Sequence, residues 1–492
     1  MSEQEPPVQE PTAAEEPPPA QPLRFSVGRL LAILAGAVVI FGVILFATIK
    51  LGYVELEWRG TGIPDFVWKG NRASPDFDQL EAHRKKQATT PVETLAFDSA
   101  APWPGFRGTE RDGLCQEVIR LDWVQTAPVV LWSQPTGGGH ASFAVARGRA
   151  FTLEQRRDQE AVVAYHLETG RELWKHEYHA EFNDQWTMGD IGPRATPAWD
   201  EGRVYTLGAE GHLFCLNEET GVILWEANVL SLAGNSNLAF GMSASPLVVG
   251  DLLIVAAGNG AHSVLALNKA NGEVVWRSPA GKGAYTSPMV TVLGDEKQLL
   301  ITGAAGPMGI SLTGGEVLWK FPWEVSHDNN IAQPVVIDGD RVFISAGYGK
   351  GCVMLAITHE DGQWRAEEQW HNRFMKNKFS SSVHLDGHLY GLDDTILTCL
   401  DAATGKRKWK GNRYGYGQLL MVLGHLVIVT GTEGELALVK ATPDQPVEVA
   451  RFKALGARTW NHPVIANGKL LIRNAKTMTC YDVSTSTEPI RP

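Results

Sequence analysis

Acidic, amide and indole side chains that could form a metal or ligand site lie in six short loops, each just before a run of apolar residues. The loops read GDIGPRATP, FGMSASP, GAYTSP, HDNNIAQP, NKFSSS and RTWNHP. Carboxylate and amide oxygens are the ligands that calcium prefers, and an indole can act as a flat floor. The candidates of these types are Asp190, Asp328, Asn329, Asn330, Trp460 and Asn461. Asp and Asn also cap turns at strand ends, and the spacing of these residues does not favour a site over that structural role.

Basic and titratable side chains lie near the same loops, at Arg194, Lys378, His384 and His462. They could bind an anionic or peptide ligand, although single charges in loops are usually solvated. His176 and His179 lack an acidic third ligand in register, so zinc binding is weakly supported. The serines at 380–382 have no paired base in the sequence, and the common hydrolase, metalloprotease and P-loop motifs are absent. We therefore predict no catalytic residue.

The elements that position these loops are indicated by a repeat in which a glycine stands four residues before a tryptophan. Its copies are LETGRELW ending at Trp174, NEETGVILW at Trp225, NKANGEVVW at Trp276, SLTGGEVLW at Trp319 and DAATGKRKW at Trp409. In each copy an apolar run leads through a tight turn into an alternating segment, which predicts two antiparallel strands. The glycine supplies the positive φ that such a turn needs.

A second hairpin pattern, Gly followed by apolar and aromatic residues, precedes most copies, so one repeat comprises four short strands. Trp174 and Trp225 are 51 positions apart, as are Trp225 and Trp276. Repeats of roughly 40–50 residues with four strands are typical of propeller blades. The fifth blade is degenerate and ends at Trp364 or Trp370, and the seventh has lost its tryptophan.

The last repeat contains only three strands, and the isolated strand PVVLW at 128–132 can supply the fourth. We therefore predict an all-β, eight-bladed propeller of four-stranded antiparallel blades, closed by its first strand pairing into its last blade. Closure removes the unpaired sheet edges that an open stack would expose.

Composition divides the chain into five predicted parts. A disordered Pro- and Glu-rich tail (1–23) precedes a transmembrane anchor (24–50), a stalk (51–102), the propeller (103–484) and a C-terminal tail (485–492). The uncharged apolar run at 30–49 has 20 residues, which as a helix would span a bilayer core of about 30 Å. Flanking charges lean slightly toward a short cytoplasmic N-terminus and a periplasmic or otherwise exported propeller.

Charge and cysteine positions restrict the function further. A net charge of -11 disfavours nucleic-acid binding, and the basic cluster at 83–86 is interpreted as a solvated piece of linker. Cys215, Cys399 and Cys480 occupy the same position in three repeats, where other repeats have alanine. A position that accepts Ala or Cys predicts a small, buried structural slot.

The repeats resemble the PQQ-like β-propeller superfamily, whose Ala-x-Asp-x-x-Thr-Gly-x-x-x-Trp motif is similar to LDAATGKRKW and its copies. The resemblance covers about 103–483 and includes the segment WPGFRGTERDG at 103–113, which is similar to the lead-in of bacterial members with an N-terminal anchor. It implies that each motif tryptophan docks against the Thr-Gly turn of the neighbouring blade. The tryptophans assigned this structural role are Trp174, Trp225, Trp276, Trp319 and Trp409.

Two functional branches follow from this resemblance. Quinoprotein dehydrogenases hold PQQ and calcium, and many carry two adjacent cysteines, which this sequence lacks. The loops before the innermost strands converge on one mouth of the propeller channel. A quinoprotein site there would use the residues Asp190, Arg194, Asp328, Asn329, Trp460 and Asn461. BamB-like proteins are scaffolds, although no cysteine for lipidation lies near the apolar run here.

We predict a monomeric, membrane-tethered, non-enzymatic scaffold that binds protein partners in the cell envelope, with no cofactor or metal. The alternative is a PQQ-dependent oxidoreductase with calcium. A third possibility is carbohydrate binding that uses Trp460 and Tyr285 as stacking surfaces.

Overall fold

The structure is a computed structural model that describes residues 27–50, 54–58, 64–68, 74–89, 97–182 and 191–485. The chain divides into two compact units. One comprises Met1–Leu56 and Phe66–Lys69, and the other comprises Glu57–Asp65 and Gly70–Pro492. Helix α1 (Val27–Lys50) is followed by strands β1 (Val54–Trp58) and β2 (Pro64–Trp68), which form a two-stranded sheet.

The predicted transmembrane helix at 30–49 is not supported. Across the described ranges, no helix is both long enough and apolar enough to cross a membrane.

Helix α2 (Phe77–Thr89) and strands β3 (Leu114–Cys115) and β4 (Val129–Pro135) precede the first complete blade. The first four blades comprise β5 (Ala144–Ala146), β6 (Arg149–Arg156), β7 (Gln159–His166) and β8 (Glu172–His179); β9 (Ala198–Asp200), β10 (Arg203–Leu207), β11 (His212–Asn217) and β12 (Ile223–Asn228); β13 (Leu247–Val249), β14 (Leu252–Ala256), β15 (Val264–Asn268) and β16 (Val274–Ser278); and β17 (Met289–Leu293), β18 (Glu296–Gly303), β19 (Gly306–Ser311) and β20 (Val317–Lys320). A short helix α3 (Val229–Ala233) follows β12, and a 3-10 turn at Ser326–Asp328 follows β20.

The other four blades comprise β21 (Val335–Ile337), β22 (Arg341–Ala346), β23 (Gly351–Glu360) and β24 (Gln363–Asn372); β25 (Val383–Leu385), β26 (His388–Asp393), β27 (Ile396–Asp401) and β28 (Arg407–Arg413); β29 (Gln418–Val422), β30 (His425–Val429), β31 (Glu435–Lys440) and β32 (Val447–Lys453); and β33 (Val464–Ala466), β34 (Lys469–Arg473) and β35 (Thr477–Asp482) with β4. The eight antiparallel blades confirm the predicted propeller.

Ring closure also occurs as predicted. β4 pairs antiparallel with β35, with Trp132 opposite Cys480 and Val130 opposite Tyr481. The first strand of the ring therefore completes the last blade, which removes one open edge on each side of the junction.

The core lies between neighbouring sheets because both faces of most inner and middle strands are apolar. Between the second and third blades, for example, Tyr205 and Leu213 pack in one buried cluster with Leu253 and Leu265. Such near-continuous burial explains why β7, β30 and β31 are apolar along most of their length.

A small residue faces the repeated tryptophan across each of several outer strand pairs. Cys215 pairs with Trp225, Cys399 with Trp409, and Ala266 with Trp276. All five cysteines are buried and free of disulfides, which confirms that these positions are structural slots. The register shifts by one residue next to each of these pairs, and such a bulge turns the outer strand locally.

The tryptophans themselves bridge neighbouring blades. Their indole N–H groups donate to backbone carbonyls in or beside the outer turn of the next blade: Trp132 to Leu167 (2.9 Å), Trp174 to Glu218 (2.8 Å), Trp225 to Lys269 (3.0 Å), Trp276 to Leu312 (3.0 Å), Trp370 to Ala402 (3.2 Å) and Trp409 to Thr442 (2.8 Å). We call these six the docking tryptophans. Trp370, and not Trp364, thus occupies this position in the degenerate fifth blade.

Trp319 departs from the role implied by the family resemblance. Its indole N–H donates to Oε1 of Gln298 within its own blade, at 2.9 Å. The hairpin of β23 and β24 in the fifth blade is lengthened, so its turn glycine Gly362 has no heavy atom near the Cβ position that would meet an indole. At this seam Trp364 instead contacts Gly294 of the fourth blade and stacks on His359 with ring centroids 4.3 Å apart.

The closure seam, between the eighth and first blades, contains a buried ionic network. The Glu154 carboxylate accepts hydrogen bonds from the Gly137 N–H and from the hydroxyls of Thr136 and Tyr165. Arg473 of the eighth blade donates to Thr152 Oγ1 (2.7 Å) and to the Gly137 carbonyl (3.0 Å). Burial raises the pKa of Glu154, but the positive charges of Arg156, Arg473 and Arg84 outweigh it and lower that pKa to about 2.

Helix α2 packs over this seam. Arg84 donates to Gln134 Oε1 (3.1 Å) and to the Pro135 carbonyl (3.2 Å) of β4, and it forms a salt bridge with Glu172 of β8 (3.1 Å). The interpretation of residues 83–86 as a solvated cluster was therefore wrong for Arg84, whose side chain is only 11% exposed. Sequence pattern could not reveal this contact because its partners lie about 50 and 88 residues further along the chain.

Candidate functional site

A ring of side chains joins the innermost strands at the loops selected from the sequence. In each blade the residue two positions before the innermost strand is buried, and in most it is polar. In the first five blades its backbone N–H donates to the equivalent side chain of the next blade: Ser142 to Thr196 (3.1 Å), Thr196 to Ser245 (2.9 Å), Ser245 to Ser287 (2.9 Å), Ser287 to Gln333 (2.9 Å) and Gln333 to Ser381 (2.9 Å). The Ser142 hydroxyl also donates to the His462 carbonyl (2.5 Å), across the closure seam.

This ring gives the polar loop residues a structural role that the sequence analysis missed. Its sequence signal was a polar residue directly before proline, as in Thr196-Pro197, Ser245-Pro246 and Ser287-Pro288. Proline cannot donate a backbone hydrogen bond, so the preceding residue becomes the donor that links blades. The pattern was present, but its partners are in other blades and only the closed ring brings them together.

The segment at 103–113, which we call the plug segment, fills the channel inside these strands. Trp103 pairs with Val145 of the first blade, the Pro104 carbonyl accepts from Trp199 of the second, and Gly113 accepts from Met421 of the seventh. β3 continues this contact as a parallel neighbour of β29. The channel is therefore not an open pore through the described structure.

Two arginines of the plug segment are buried in the channel and bind backbone carbonyls. Arg111 donates to Ser245 (3.0 Å), to Pro288 (2.8 Å) and to Pro246, and Arg107 donates to Ser382 (3.1 Å). Burial lowers the pKa of Arg111 to about 9 and that of Arg107 to about 10. Both side chains stay protonated at neutral pH, so the channel interior is positively charged.

Two of the predicted oxygen ligands, Asn330 and Asn461, use their side-chain amides to bind backbone carbonyls. Asp190 lies outside the described residues, Asp328 is exposed at the end of the 3-10 turn, and the Asn329 side chain is buried. Asn330 donates from Nδ2 to the carbonyls of Gly303 (3.0 Å) and Trp323 (3.2 Å), which is the turn-satisfying role weighed for these amides. Asn461 likewise donates to the Ala141 carbonyl at 2.8 Å.

The titratable mouth residues are also dispersed. Arg194 binds the Gly192 carbonyl (2.6 Å) and lies over the ring of Phe182. His462 stacks against Trp103, and burial lowers its pKa to about 3, so the imidazole is neutral at physiological pH. His384 lies on β25, beside the plug segment and away from this group.

Aromatic rings and two cations form a continuous arc around one side of the mouth. Phe379 packs on Trp460 (4.6 Å between centroids) and on Tyr416 (5.5 Å), while Trp460 also contacts His140 (5.4 Å). The Lys378 ammonium lies 4.4 Å from the Tyr416 ring centroid, and the Arg458 guanidinium lies 4.2 Å from that of Trp460. We call these six residues the mouth cluster.

The fit of a calcium-bound quinone depends on the oxygen ligands that the mouth offers. Calcium requires several oxygen ligands, usually including carboxylates. In the described part of the chain no group of three or more His, Cys, Asp or Glu side chains could hold a metal ion. Within the described part of the mouth cluster, the charged groups are the cations Lys378 and Arg458.

The sheet order and the ring of inner hydrogen bonds define an eight-bladed propeller with a plugged channel. Residues 158–411 match the family model described as outer membrane protein assembly factor BamB. This match covers more than half of the 492 residues, so the chain belongs to that family, and the resemblance found in the sequence is confirmed.

Individual relatives are more distant. The outer membrane protein assembly factor BamB of Yersinia pestis is 22% identical over 313 residues, which are 59% of this chain and 74% of that protein. The crystal structure of BamB from Moraxella catarrhalis has a TM-score of 0.51 and 17% identity, over 72% of this chain and 99% of that one. Quinohemoprotein alcohol dehydrogenase from Comamonas testosteroni has a TM-score of 0.57 and 12% identity, over 84% and 85% of the two chains. At these identities the structural matches show a shared fold alone. They do not bear on activity.

Proposed function

We propose that this chain is a non-enzymatic scaffold in the assembly of outer membrane proteins and that it acts as an exported, periplasmic propeller. The observation that carries the proposal is the family match over residues 158–411. The relative in Yersinia pestis, named an assembly factor, supports the same reading. The partners would be other proteins of the cell envelope.

The mouth cluster is the surface that we assign to partner binding. Trp, Tyr and Arg residues provide most of the binding energy in protein interfaces because they combine a large apolar area with polar groups. Trp460 is half-buried, so part of its indole faces solvent while Phe379 and Arg458 hold it in place. A rigid aromatic platform loses little side-chain entropy when a partner binds.

Carbohydrate stacking on Trp460 and Tyr285 has less support. Tyr285 is 8% exposed and packs on Phe240, with ring centroids 5.6 Å apart. Trp460 packs in the mouth cluster, and no ring contact among the described residues joins it to Tyr285.

Co-purification tests the scaffold. The full-length chain, cross-linked in native envelopes and then purified, should retain an outer membrane assembly protein. Trp460→Ala should weaken that association by about tenfold or more, because a central aromatic anchor typically contributes at least about 2 kcal/mol. Trp364→Ala is the matched control, since Trp364 is a half-buried, stacked tryptophan on the distant β23–β24 hairpin. Equal retention by the two variants would contradict the assignment of the surface.

The dehydrogenase alternative is tested by adding PQQ and calcium to the purified chain. We expect no stoichiometric quinone absorbance and no dye reduction with alcohols or sugars, because the mouth cluster offers cations where calcium ligands would be needed. A stoichiometric, active holoenzyme would overturn the scaffold proposal.

Membrane attachment through residues 30–49 stays a prediction from the sequence, and the scaffold proposal does not depend on it. Its support is the uncharged apolar run and the exposure of apolar side chains on α1, including Val38 (69%), Phe41 (66%) and Phe46 (63%). Extraction of isolated envelopes with alkaline carbonate tests it. Release of the full-length chain into the supernatant would refute the anchor.

A further inference from the structure

A half-open cavity of about 210 Å³ lies between the plug segment and the innermost strands of three blades. Its walls come from the plug segment and β3 on one side and from β17, β21 and β25 on the other. The volume is below the roughly 300–1,000 Å³ of sites for drug-sized ligands, so it suits a single side chain or a small ion. No residue of the mouth cluster lines this cavity.

The polar groups of the cavity are mainly acceptors, and the buried Arg107 is a cation whose charge acts on one of them, Asp112. Glu110 and Asp112 contribute two carboxylates from the plug segment, and neither forms a salt bridge with any described residue. Within the described residues, their one side-chain hydrogen bond is donated by the Leu114 N–H to Asp112 Oδ1 (2.9 Å). Burial raises the pKa of Asp112 even though the charge of Arg107 and the Leu114 N–H lower it, so the negative charge is poorly solvated and a bound cation would stabilise it further.

A third polar group faces the same space. His384 lines the cavity from β25, and its Nε2 is buried without a hydrogen-bond partner. Burial lowers the pKa of His384, so the imidazole is neutral at pH 7 and one ring nitrogen is an acceptor. The charged neighbours of His384 are Asp338, Arg341, Asp386 and His388, and Arg341 is paired with Asp338.

The remaining wall is aliphatic apart from Thr291. Met289, Val290, Val335 and Val336 line the cavity from the fourth and fifth blades. A ligand that fits both the carboxylate side and the aliphatic side of the cavity has a compact cationic head with several hydrogen-bond donors and an apolar stem. An alkylammonium group has three N–H donors on a flexible methylene stem, whereas the planar guanidinium of arginine is wider.

We propose that this cavity binds an alkylammonium group, and that in the cell this group is a lysine side chain of a protein partner. The ammonium would pair with Glu110 and Asp112, and its methylenes would lie against the valines of β17 and β21. The identity of the partner rests on the proposed scaffold function, whereas the cavity chemistry does not. The site is separate from the mouth cluster, so a partner could engage either surface independently.

Titration of the full-length chain with Nα-acetyl-lysine amide, followed by saturation-transfer NMR, tests the chemistry. Nα-acetyl-norleucine amide, which keeps the stem and lacks the ammonium, should give no saturable binding. n-Butylammonium should bind as well as the lysine probe if the head and stem suffice, and more weakly if the peptide backbone contributes. Equal binding of the lysine and norleucine probes would overturn the proposal.

Two variants locate the binding. Glu110→Gln should raise the Kd of the lysine probe roughly two- to fivefold, as for a partly exposed ion pair, and it should fold normally because Glu110 is exposed. Adding Asp112→Asn should raise the Kd by about tenfold or more, since Asp112 is the less solvated carboxylate. Glu219→Gln, which removes an exposed carboxylate in the outer turn of the second blade, is the charge-matched control.

An unchanged Kd in Glu110→Gln would place the probe elsewhere and refute the site, even if the double variant failed to fold. The test also separates this proposal from the scaffold function. Saturable lysine binding with no envelope partner on co-purification would refute the scaffold and leave the cavity chemistry standing. A partner that co-purifies equally with wild type and with Glu110→Gln would refute the role of the cavity in that association.

Discussion

At the scale of single residues, the turn glycine of one blade and the docking tryptophan of the previous blade depend on each other. Gly221 has φ 70°, and a Cβ at this position would lie 2.5 Å from the ring of Trp174. The glycine is therefore required twice, by its backbone conformation and by the indole that covers it. The sequence predicted the first requirement from the turn, and the second appears only when neighbouring blades are in place.

Gly221→Ala should destabilise the chain by about 3 kcal/mol, because it adds a clash with an indole to the 1–2 kcal/mol cost of a left-handed alanine. Gly250→Ala isolates the backbone cost, since Gly250 has φ 57° and nothing within 4 Å of its Cβ position. Thermal unfolding of both variants measures the difference. Equal losses would mean that indole contact contributes nothing.

The buried side chain of Glu160 should make the folding stability of the chain depend on pH. Burial raises the pKa of Glu160 to about 7, against 4.5 for the ordinary side chain, while the Tyr178 hydroxyl and the Ala209 N–H bind its carboxyl group. A raised folded-state pKa means that stability is complete below pH 4.5 and is lost as pH rises through 7. Glu160→Gln should thus stabilise the chain by about 3 kcal/mol at pH 8 and have little effect at pH 4. Melting curves at the two pH values measure this, and an equal effect at both would be inconsistent with the raised pKa.

At the scale of elements, the blades could be predicted from periodicity, whereas the contacts of α2 could not. The glycine-to-tryptophan interval identified five outer strand pairs directly, and the three-stranded remainder at the C-terminus identified β4 as the closing strand. Helix α2 is observed at Phe77–Thr89, within the segment predicted as a stalk. Its place on the closure seam depends on buried groups such as Glu154 and Arg473, which carry no local sequence signal.

Arg84→Ala should loosen the closure seam, because Arg84 joins β4 of the eighth blade to Glu172 of the first. Removing one partner from a largely buried ionic network costs about 3 kcal/mol. Hydrogen exchange should speed up in β4 and in β8, while the blades opposite keep their protection. Lys85→Ala changes an exposed neighbour on the same helix and should leave both strands protected.

At the scale of the whole molecule, the plug segment and the inner ring together make the propeller a closed body. Arg111 alone links the third and fourth blades through three carbonyls. The sequence indicated that residues 103–113 resemble the lead-in segment of family members, but it could not indicate their partners. Those partners are backbone atoms, and backbone carbonyls are the same at every position of a sequence.

Arg111→Met should lower the stability of the chain by about 3 kcal/mol or more, because buried carbonyls lose their donors. Arg365→Met, on the exposed outer strand β24, should have an effect below about 0.5 kcal/mol. Denaturant unfolding of the two variants gives the comparison. A small loss in both would mean that the channel carbonyls are satisfied by water.

The pairing of β4 with β35 has a consequence for biosynthesis. Trp132 leaves the ribosome long before its partner Cys480 has been translated, so the eighth sheet cannot form on a nascent chain. Translation arrest or proteolysis shortly before residue 477 would leave seven complete sheets and an open ring. The unpaired strand edges of such a chain would promote its aggregation or degradation. The ring can therefore close only after β35 has been synthesised.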